Sequence, residues 1–175
     1  MPSQTERATT FRALHQRPGA FIIPNPWDAG TAKLLASLGF EALATTSLGV
    51  ANGLGRANSV VTRAEVIENC RAIVAATSLP VNADLENCFA DAPEAAAETI
   101  RLAAEAGAVG GSIEDYTGDP ANPIYDFDLA VARVRAAVAV ARSLPVPFLL
   151  TARAENLLHG RNDMGDTIRR LQAYE

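Results

Sequence analysis

The sequence is poor in the features that mark secreted and membrane-spanning proteins. It has two cysteines in 175 residues, Cys70 and Cys88, and they form neither a CxxC motif nor a disulfide framework. Its first ten residues, MPSQTERATT, lack the basic and then apolar layout of a signal peptide. No apolar run reaches the roughly 18 residues that a membrane-spanning helix needs. These absences predict a protein of the reducing cytoplasm that does not bind a membrane.

The charges exclude a second group of functions. The net charge is −5 and the charged residues are scattered, so no basic patch favours nucleic acid and no Lys/Arg block favours an anionic membrane. No GxGxxG motif opens the first predicted helix, and GxxxxGK[ST] is absent. The remaining composition, 49% hydrophobic and 20% charged, is typical of a globular protein, and the length predicts one domain over residues 1–175.

Short apolar runs alternate with longer amphipathic segments, which predicts alternating strands and helices. Strands are predicted at 20–23, 41–44, 81–84, 109–113 and 147–151. Helices are predicted at 29–38, 63–76, 93–106 and 128–142, and the last residues, DTIRRLQAYE, have the pattern of a further amphipathic helix. A capping box from Thr62 to Glu65 and glycines at Gly39 and Gly107 mark helix ends.

This alternation predicts an α/β fold with a parallel sheet, either doubly wound or a barrel. Every predicted strand is followed by polar side chains, whereas an open sheet would concentrate them at one switch point, so a (β/α)₈ TIM barrel is favoured. A complete barrel typically needs about 250 residues. We therefore expect a truncated chain that holds only about the first five βα units; a complete five-stranded fold is the alternative.

Acidic residues follow two neighbouring predicted strands. Asp84 and Glu86 end the third strand, and Glu114 and Asp115 end the fourth. Carboxylates brought together at adjacent strand ends repel one another unless a cation lies between them. Mg²⁺ takes oxygen ligands, usually one or two carboxylates together with water molecules. The sequence therefore predicts a Mg²⁺ site, with Mn²⁺ as a substitute, at Asp84, Glu86 and Glu114; solvated loop acids or helix N-caps are the alternative.

Four segments carry these polar strand ends, namely PNPWDAGTAKLLASLGFEALATTSLGVA, PVNADLEN, GAVGGSIEDYTGDP and LTARAENLLHG. In this order they resemble motifs of the isocitrate lyase/phosphoenolpyruvate mutase superfamily, and the resemblance covers nearly the whole chain. It implies a barrel enzyme in which Asp84 binds the metal directly while Glu86 and Glu114 act largely through water. Full-length relatives are homo-oligomers. The resemblance is only weak support for the same assembly in this protein.

The resemblance also implies which residues hold a small carboxylate substrate. Ser47, Leu48 and Gly49 are expected to bind one carboxylate through the serine hydroxyl and backbone N–H groups, an ordinary turn being the alternative. Arg153 is expected to bind a second carboxylate with its planar guanidinium group, a surface ion pair being the alternative, and Glu155 to orient it. The expected catalytic residues are Ser47, Arg153 and Glu114.

Three departures from the superfamily pattern narrow the expected reaction. The stretch 116–123 lacks the Lys-x-Cys-Gly loop whose cysteine is the acid in relatives that cleave isocitrate or methylisocitrate. Residues 88–90 read Cys-Phe-Ala where many relatives have Gly-Tyr-Gly, and Asn58 stands where relatives usually have an acid. Decarboxylation needs no dedicated protein acid for the cleavage step, so it suits a chain without the cysteine loop.

We therefore expect a Mg²⁺-dependent carbon–carbon lyase resembling oxaloacetate decarboxylase. It would cleave the bond alpha to the carbonyl of a small 2-oxo or 2-hydroxy di- or tricarboxylate through a metal-stabilised enolate. Two alternatives use the same site, namely 2-methylisocitrate lyase-like chemistry and cleavage of a phosphonate P–C bond. A third alternative is a truncated, inactive remnant or a binding module.

Overall fold

A computed structural model describes residues 1–56 and 60–175 of the protein, so Asn58 lies outside the described residues. The described helices and strands follow one another along the chain as α1 (Gln4–Gln16), α2 (Ala29–Ser37), β1 (Leu43–Ala44), α3 (Ser47–Gly53), α4 (Arg63–Ala76), β2 (Val81–Ala83), α5 (Pro93–Glu105), β3 (Gly110–Glu114), α6 (Phe127–Ser143), β4 (Leu149–Arg153) and α7 (Met164–Tyr174).

The strands form one parallel sheet in chain order, β1-β2-β3-β4. Neighbouring strands are joined by helical crossovers, which is the connection that parallel strands require. The longest pairing, between β3 and β4, places Glu114 directly beside Arg153. Because the strands are parallel, their carboxyl ends lie at the same edge of the sheet, and the predicted site residues lie at this edge.

The first predicted strand, at residues 20–23, is wrong, since this segment has no regular secondary structure. Pro24 and Pro26 follow it and lack the N–H groups that a sheet ladder needs. The segment still runs beside β1, where the Pro24 carbonyl accepts a hydrogen bond from the Ala44 N–H at 3.1 Å. The described residues therefore contain four strands instead of the five expected.

The predicted helix ends agree well with the structure because local hydrogen bonds determine them. The Thr62 side chain and the Glu65 backbone and side chain form the reciprocal capping box that starts α4. Gly39 and Gly107 both have positive φ, as residues just after helices do. Residues 47–49 were predicted as a carboxylate-binding loop, with an ordinary turn as the alternative, and they form the start of helix α3. Its N-cap is Thr46, whose hydroxyl accepts a hydrogen bond from the Gly49 N–H at 3.2 Å.

The core lies between the sheet and its outer helices. Alanine-rich faces let α5 and α6 pack closely against each other and against the sheet, burying Ile100 and Val134. Phe11 of α1 forms a second apolar cluster with Val109 at the amino ends of the strands. The opposite, carboxyl edge therefore remains free for polar groups. In the described ranges, no helix is both long enough and apolar enough to cross a bilayer.

We predict that Gly110→Ala destabilises the fold. A Cβ atom at Gly110 would lie 2.6 Å from Asn82 Oδ1, 2.8 Å from the Leu149 carbonyl oxygen and 2.9 Å from Phe11 Cε1. Such overpacking should lower the free energy of unfolding by about 2–3 kcal/mol, measured by urea denaturation. Gly53→Ala in α3 is the matched control, since its Cβ would meet nothing within 4 Å. Equal stability of the two variants would contradict this account of the packing.

Candidate active site

A polar cavity of about 410 Å³ opens at the carboxyl edge of the sheet. Its lining comes from the loops that follow all four strands, as expected for the functional face of a βα fold. The polar residues that line it are Thr46, Ser47, Asp84, Glu86, Asn87, Glu114, Tyr116, Arg153, Glu155 and His159. The structure thus brings together the acids, the serine and the arginine that the sequence singled out.

Asp84 is held in place from two neighbouring strand ends. Its Oδ2 atom accepts a hydrogen bond from the Ser47 N–H at 2.8 Å, and its own N–H donates to Thr45 Oγ1 at 2.9 Å. The Ser112 hydroxyl approaches Oδ1 at 3.5 Å from the adjacent strand β3. These contacts fix the carboxylate with Oδ1 facing the cavity, where Arg153 Nη1 lies 3.8 Å away.

The loop after β2 carries Glu86 in an unusual backbone conformation. Glu86, Cys88 and Phe89 all have positive φ, at 48°, 59° and 57°. This left-handed region is uncommon for residues other than glycine, and such strain is concentrated at functional sites. Cys88, one of the departures noted above, thus takes a left-handed conformation that a glycine would adopt without steric cost.

Arg153 ends β4 among the acids. Its guanidinium nitrogens lie 2.8 Å from Glu155 Oε1, 3.5 Å from Glu114 Oε2 and 3.8 Å from Asp84 Oδ1. The first contact is a direct hydrogen bond, whereas the other two are looser and lie on the side of the guanidinium that faces the cavity. The Arg153 side chain is 41% exposed, so part of it remains accessible for an anionic ligand.

The electrostatics of the cavity favour a cation. Burial, reinforced by Glu155, Asp84 and Glu86 and opposed by Arg153, raises the pKa of Glu114 to about 7. Burial also raises the pKa of Glu86; the Asp84 charge adds to this and a hydrogen bond from Ser47 opposes it. Within the described lining, Arg153 is the one lysine or arginine. An additional positive ion would therefore stabilise the ionised acids.

The donor set fits an ion that keeps much of its water shell. In the described parts of the chain, no group of three His, Cys, Asp or Glu side chains converges closely enough to surround a metal directly. Mg²⁺ does not require such a group, because it usually binds one or two carboxylates and several waters. Asp84 offers one fixed oxygen, and Glu86 and Glu114 line the same cavity as acceptors for metal-bound water.

The three residues of the predicted carboxylate-binding turn have different positions. Ser47 and Leu48 line the cavity. Gly49 is buried behind them, where a Cβ atom would lie 2.6 Å from Thr46 Cγ2 and 3.0 Å from Trp27 Cβ. Its N–H donates to Thr46 and the Ser47 N–H donates to Asp84, so both amides have partners within the protein.

Asp115 lies beneath the cavity and does not line it. Its contacts indicate a structural role. It is 3% exposed. Its Oδ1 atom accepts a hydrogen bond from the Glu155 N–H at 2.8 Å, and Oδ2 accepts one from the Tyr174 hydroxyl at 2.7 Å and one from Arg170 Nη1 at 3.2 Å. Asp115 thereby connects the ends of β3 and β4 to helix α7 behind them.

Two further cavity residues were not placed at the site by the sequence pattern. The rings of Tyr116 and His159 stack in parallel with their centroids 3.7 Å apart, and they join the loops after β3 and β4 above the acids. The only sequence signal was that Tyr116 follows the acidic pair and that His159 lies near Arg153. Cys88, by contrast, is fully buried, and burial raises the pKa of its thiol to about 12, which makes it a poor acid or nucleophile.

Comparisons with known proteins agree with this combination of a parallel βα sheet and an acidic cleft. The model of the phosphoenolpyruvate phosphomutase family matches residues 11–175. The 2-methylisocitrate lyase of Escherichia coli (strain K12) is 31% identical over 172 residues, which covers 94% of this chain and 57% of the relative. The chain therefore spans less than two thirds of that curated relative.

Solved structures give the same result. A candidate lyase/mutase from Burkholderia cenocepacia J2315 has a TM-score of 0.95 and 63% identity, covering 98% of this chain and 61% of that protein. An oxaloacetate acetylhydrolase in complex with its product oxalate has a TM-score of 0.88 and 25% identity, covering 99% of this chain and 61% of that protein.

The fold and the cleft thus define a parallel α/β chain corresponding to part of a TIM barrel. The chain belongs to the phosphoenolpyruvate phosphomutase family, and the predictions of superfamily and fold class are confirmed.

We predict that Glu114 makes the stability of the metal-free protein depend on pH. Its pKa is raised from 4.5 to about 7, so the folded chain retains a proton that the unfolded chain releases between these pH values. The free energy of unfolding should therefore fall as pH rises through this window, by on the order of 1–3 kcal/mol. Urea denaturation with EDTA at pH 5 and pH 7.5 measures this slope.

Glu114→Gln should reduce the slope, because glutamine cannot titrate. Glu68→Gln is the control, since the Glu68 side chain is 75% exposed on α4 and makes only a 3.4 Å ion pair with Arg71. If Glu114→Gln retained the full pH dependence of the unmodified chain, burial of Glu114 would not be its cause.

Proposed function

We propose that this chain carries the active site of a Mg²⁺-dependent lyase that acts on a small 2-oxo or 2-hydroxy carboxylate. The observation that supports it most directly is the position of Arg153 Nη1, which lies 3.8 Å from Asp84 and 3.5 Å from Glu114 within one cavity. A cation site and an anion-binding guanidinium thus lie side by side, as a chelating carboxylate substrate would require. We propose that residues 1–175 act as one partial-barrel domain and that the protein works in the cytoplasm.

Asp84 would hold the metal through Oδ1, while Glu86 and Glu114 would accept hydrogen bonds from its waters. When bound, Mg²⁺ supplies a Lewis acid that stabilises negative charge developing on a ketone oxygen. The protein contributes the geometry, since the Ser47 N–H holds the second oxygen of Asp84 at 2.8 Å and prevents the carboxylate from rotating. Mn²⁺ has similar ligand preferences and should substitute.

Arg153 would bind a substrate carboxylate from the opposite side. Its hydrogen bond to Glu155 fixes the plane of the guanidinium, and Glu155 is itself 6% exposed and anchored through its backbone to Asp115. The exposed edge of the guanidinium then presents N–H donors in the fork that suits a carboxylate. Ser47 lines the same cavity, and its hydroxyl would turn from Glu86 to donate to the substrate.

Glu114 would act on the substrate through the water that it holds. Its pKa of about 7 belongs to the metal-free chain, and a bound cation would lower it. In decarboxylation of oxaloacetate, the C3–C4 bond breaks, CO₂ leaves and the bonding electron pair passes to the 2-oxo group. A proton added at C3 then gives pyruvate, and a water molecule of the cavity supplies it.

Two observations favour an oxaloacetate-like substrate over a methylisocitrate-like one. The loop 116–123 lines the cavity through Tyr116 and Gly118 and contains no cysteine, lysine or histidine to protonate a leaving group. The related acetylhydrolase, 25% identical, acts on oxaloacetate and was solved with oxalate bound. Cleavage without a dedicated acid on this loop is therefore the reaction that the cavity supports best.

We predict that the protein with Mg²⁺ converts oxaloacetate to pyruvate faster than Mg²⁺ alone. Asp84→Asn should reduce the rate about 100-fold or more, because a neutral amide binds Mg²⁺ weakly. The measurement is pyruvate formation coupled to lactate dehydrogenase, with Glu68→Gln as the control that keeps full activity. No pyruvate above the metal-only rate would count against decarboxylation, and a panel of 2-methylisocitrate, 2,3-dimethylmalate and phosphonopyruvate would then test the other chemistries.

We also predict that metal binding can be measured without turnover. Isothermal titration with Mg²⁺ or Mn²⁺ should show one site, and Asp84→Ala should weaken it about 100-fold because it removes the direct carboxylate ligand. Glu68→Gln should bind like the unmodified chain. Absence of binding in the unmodified chain would support the inactive remnant instead of the lyase.

A further inference from the structure

Arg133 of helix α6 is a buried cation directly behind the candidate site. It is 1% exposed and is among the largest fully buried side chains of the protein. In the described part of the chain, it takes part in none of the ion pairs. Since an isolated buried charge is strongly unfavourable, the groups that surround Arg133 must compensate it.

These groups come mainly from the loop that follows β2. The Arg133 guanidinium donates hydrogen bonds to the backbone carbonyls of Asn87, Ala90 and Asp91, the last at 2.8 Å. It also lies over the Tyr125 ring, 4.1 Å from the ring centroid, in a favourable cation–π arrangement. Three carbonyl dipoles and an aromatic face thus stabilise the Arg133 charge in place of an ion pair.

Tyr125 holds the same loop through side chains. Its hydroxyl donates to Asp91 Oδ1 at 2.6 Å and accepts a weaker contact from Asn87 Nδ2 at 3.5 Å. Asn87 also caps the turn internally, since its Oδ1 accepts from the Phe89 N–H at 2.9 Å. Arg133 and Tyr125 therefore fix both ends of segment 87–91 from outside the sheet.

This anchoring acts where the backbone is strained. The left-handed residues Glu86, Cys88 and Phe89 lie within or next to the segment that Arg133 holds. Strained conformations persist only where the surroundings enforce them. The Glu86 carbonyl also accepts the Glu114 N–H at 3.0 Å, so the position of the loop determines the spacing of two acids of the cavity.

We propose that Arg133 is a positioning residue that sets the acidic loop for divalent cation binding. It does not line the cavity; it contacts the acidic loop through the backbone carbonyls of Asn87, Ala90 and Asp91 and supports Tyr125, which holds the same loop. Lysine cannot replace it fully, because three carbonyls in different directions require the planar fork of a guanidinium. This inference rests on the proposed function, but the order of the loop can be measured without metal or substrate.

Hydrogen–deuterium exchange of the metal-free protein and Mn²⁺ titration test the proposal. Arg133→Met should accelerate amide exchange in segment 86–92 and weaken Mn²⁺ binding, each by about tenfold or more. Arg133→Lys, which keeps the charge, should fold more readily and show a smaller change in the same direction. Arg135→Met is the matched control, since Arg135 lies exposed on the same helix, and it should leave both quantities unchanged.

The possible outcomes distinguish a failure of the role proposed for Arg133 from a failure of the proposed function. Exchange in 86–92 equal to that of Arg135→Met overturns the role of Arg133 in ordering the loop. Faster exchange with unchanged Mn²⁺ affinity also overturns the proposal, because a merely structural arginine would have that effect. If the unmodified chain binds no Mn²⁺, the proposed function fails, and amide exchange alone decides whether Arg133 orders the loop.

Discussion

Repulsion among carboxylates at one edge of a parallel sheet is the constraint around which this structure is organised. Four acids, Asp84, Glu86, Glu114 and Glu155, line one cavity with a single arginine among its lining residues in the described chain. Parallel pairing brings successive strand ends to the same edge, so acids that follow neighbouring strands necessarily lie close together. Burial raises the pKa values of Glu86 and Glu114 and the neighbouring carboxylates raise them further, so the geometry that concentrates the acids also favours a bound cation.

Two buried arginines behind the cavity hold the segments that carry the acids. Arg170 donates to Asp115 and to the Tyr125 carbonyl at 2.9 Å, while Arg133 donates to the loop after β2. Both arginines lie on helices, α6 and α7, that pack against each other and against β4. The acids are therefore positioned through backbone contacts made from behind, which leaves their carboxylate oxygens directed at the cavity.

The sequence predicted the strands, helix ends and acids that follow from local patterns. It did not predict the features whose geometry depends on contacts between distant residues. Four of the five predicted strands exist where short, largely apolar runs lie between helices, whereas residues 20–23 lose their ladder to the prolines that follow. The acids were found from their place after strands. The left-handed backbone at Glu86 and the carbonyls around Arg133 could not be predicted, since they arise from residues more than 40 positions apart.

The proposed reaction rests on the stretch that stands where the superfamily pattern has its cysteine loop. In this chain, residues 116–123 turn back on themselves, with the Thr117 N–H donating to the Pro123 carbonyl at 2.9 Å, and they contribute the Tyr116 ring to the cavity. That ring stacks on His159, so this side of the cavity is closed by two aromatic planes instead of a thiol. CO₂ leaves without taking up a proton. A leaving group that departs as a carboxylate enolate, by contrast, must be protonated. We propose decarboxylation on this ground, because residues 116–123 carry no cysteine, lysine or histidine and this loop supplies no such donor for a leaving group that must be protonated.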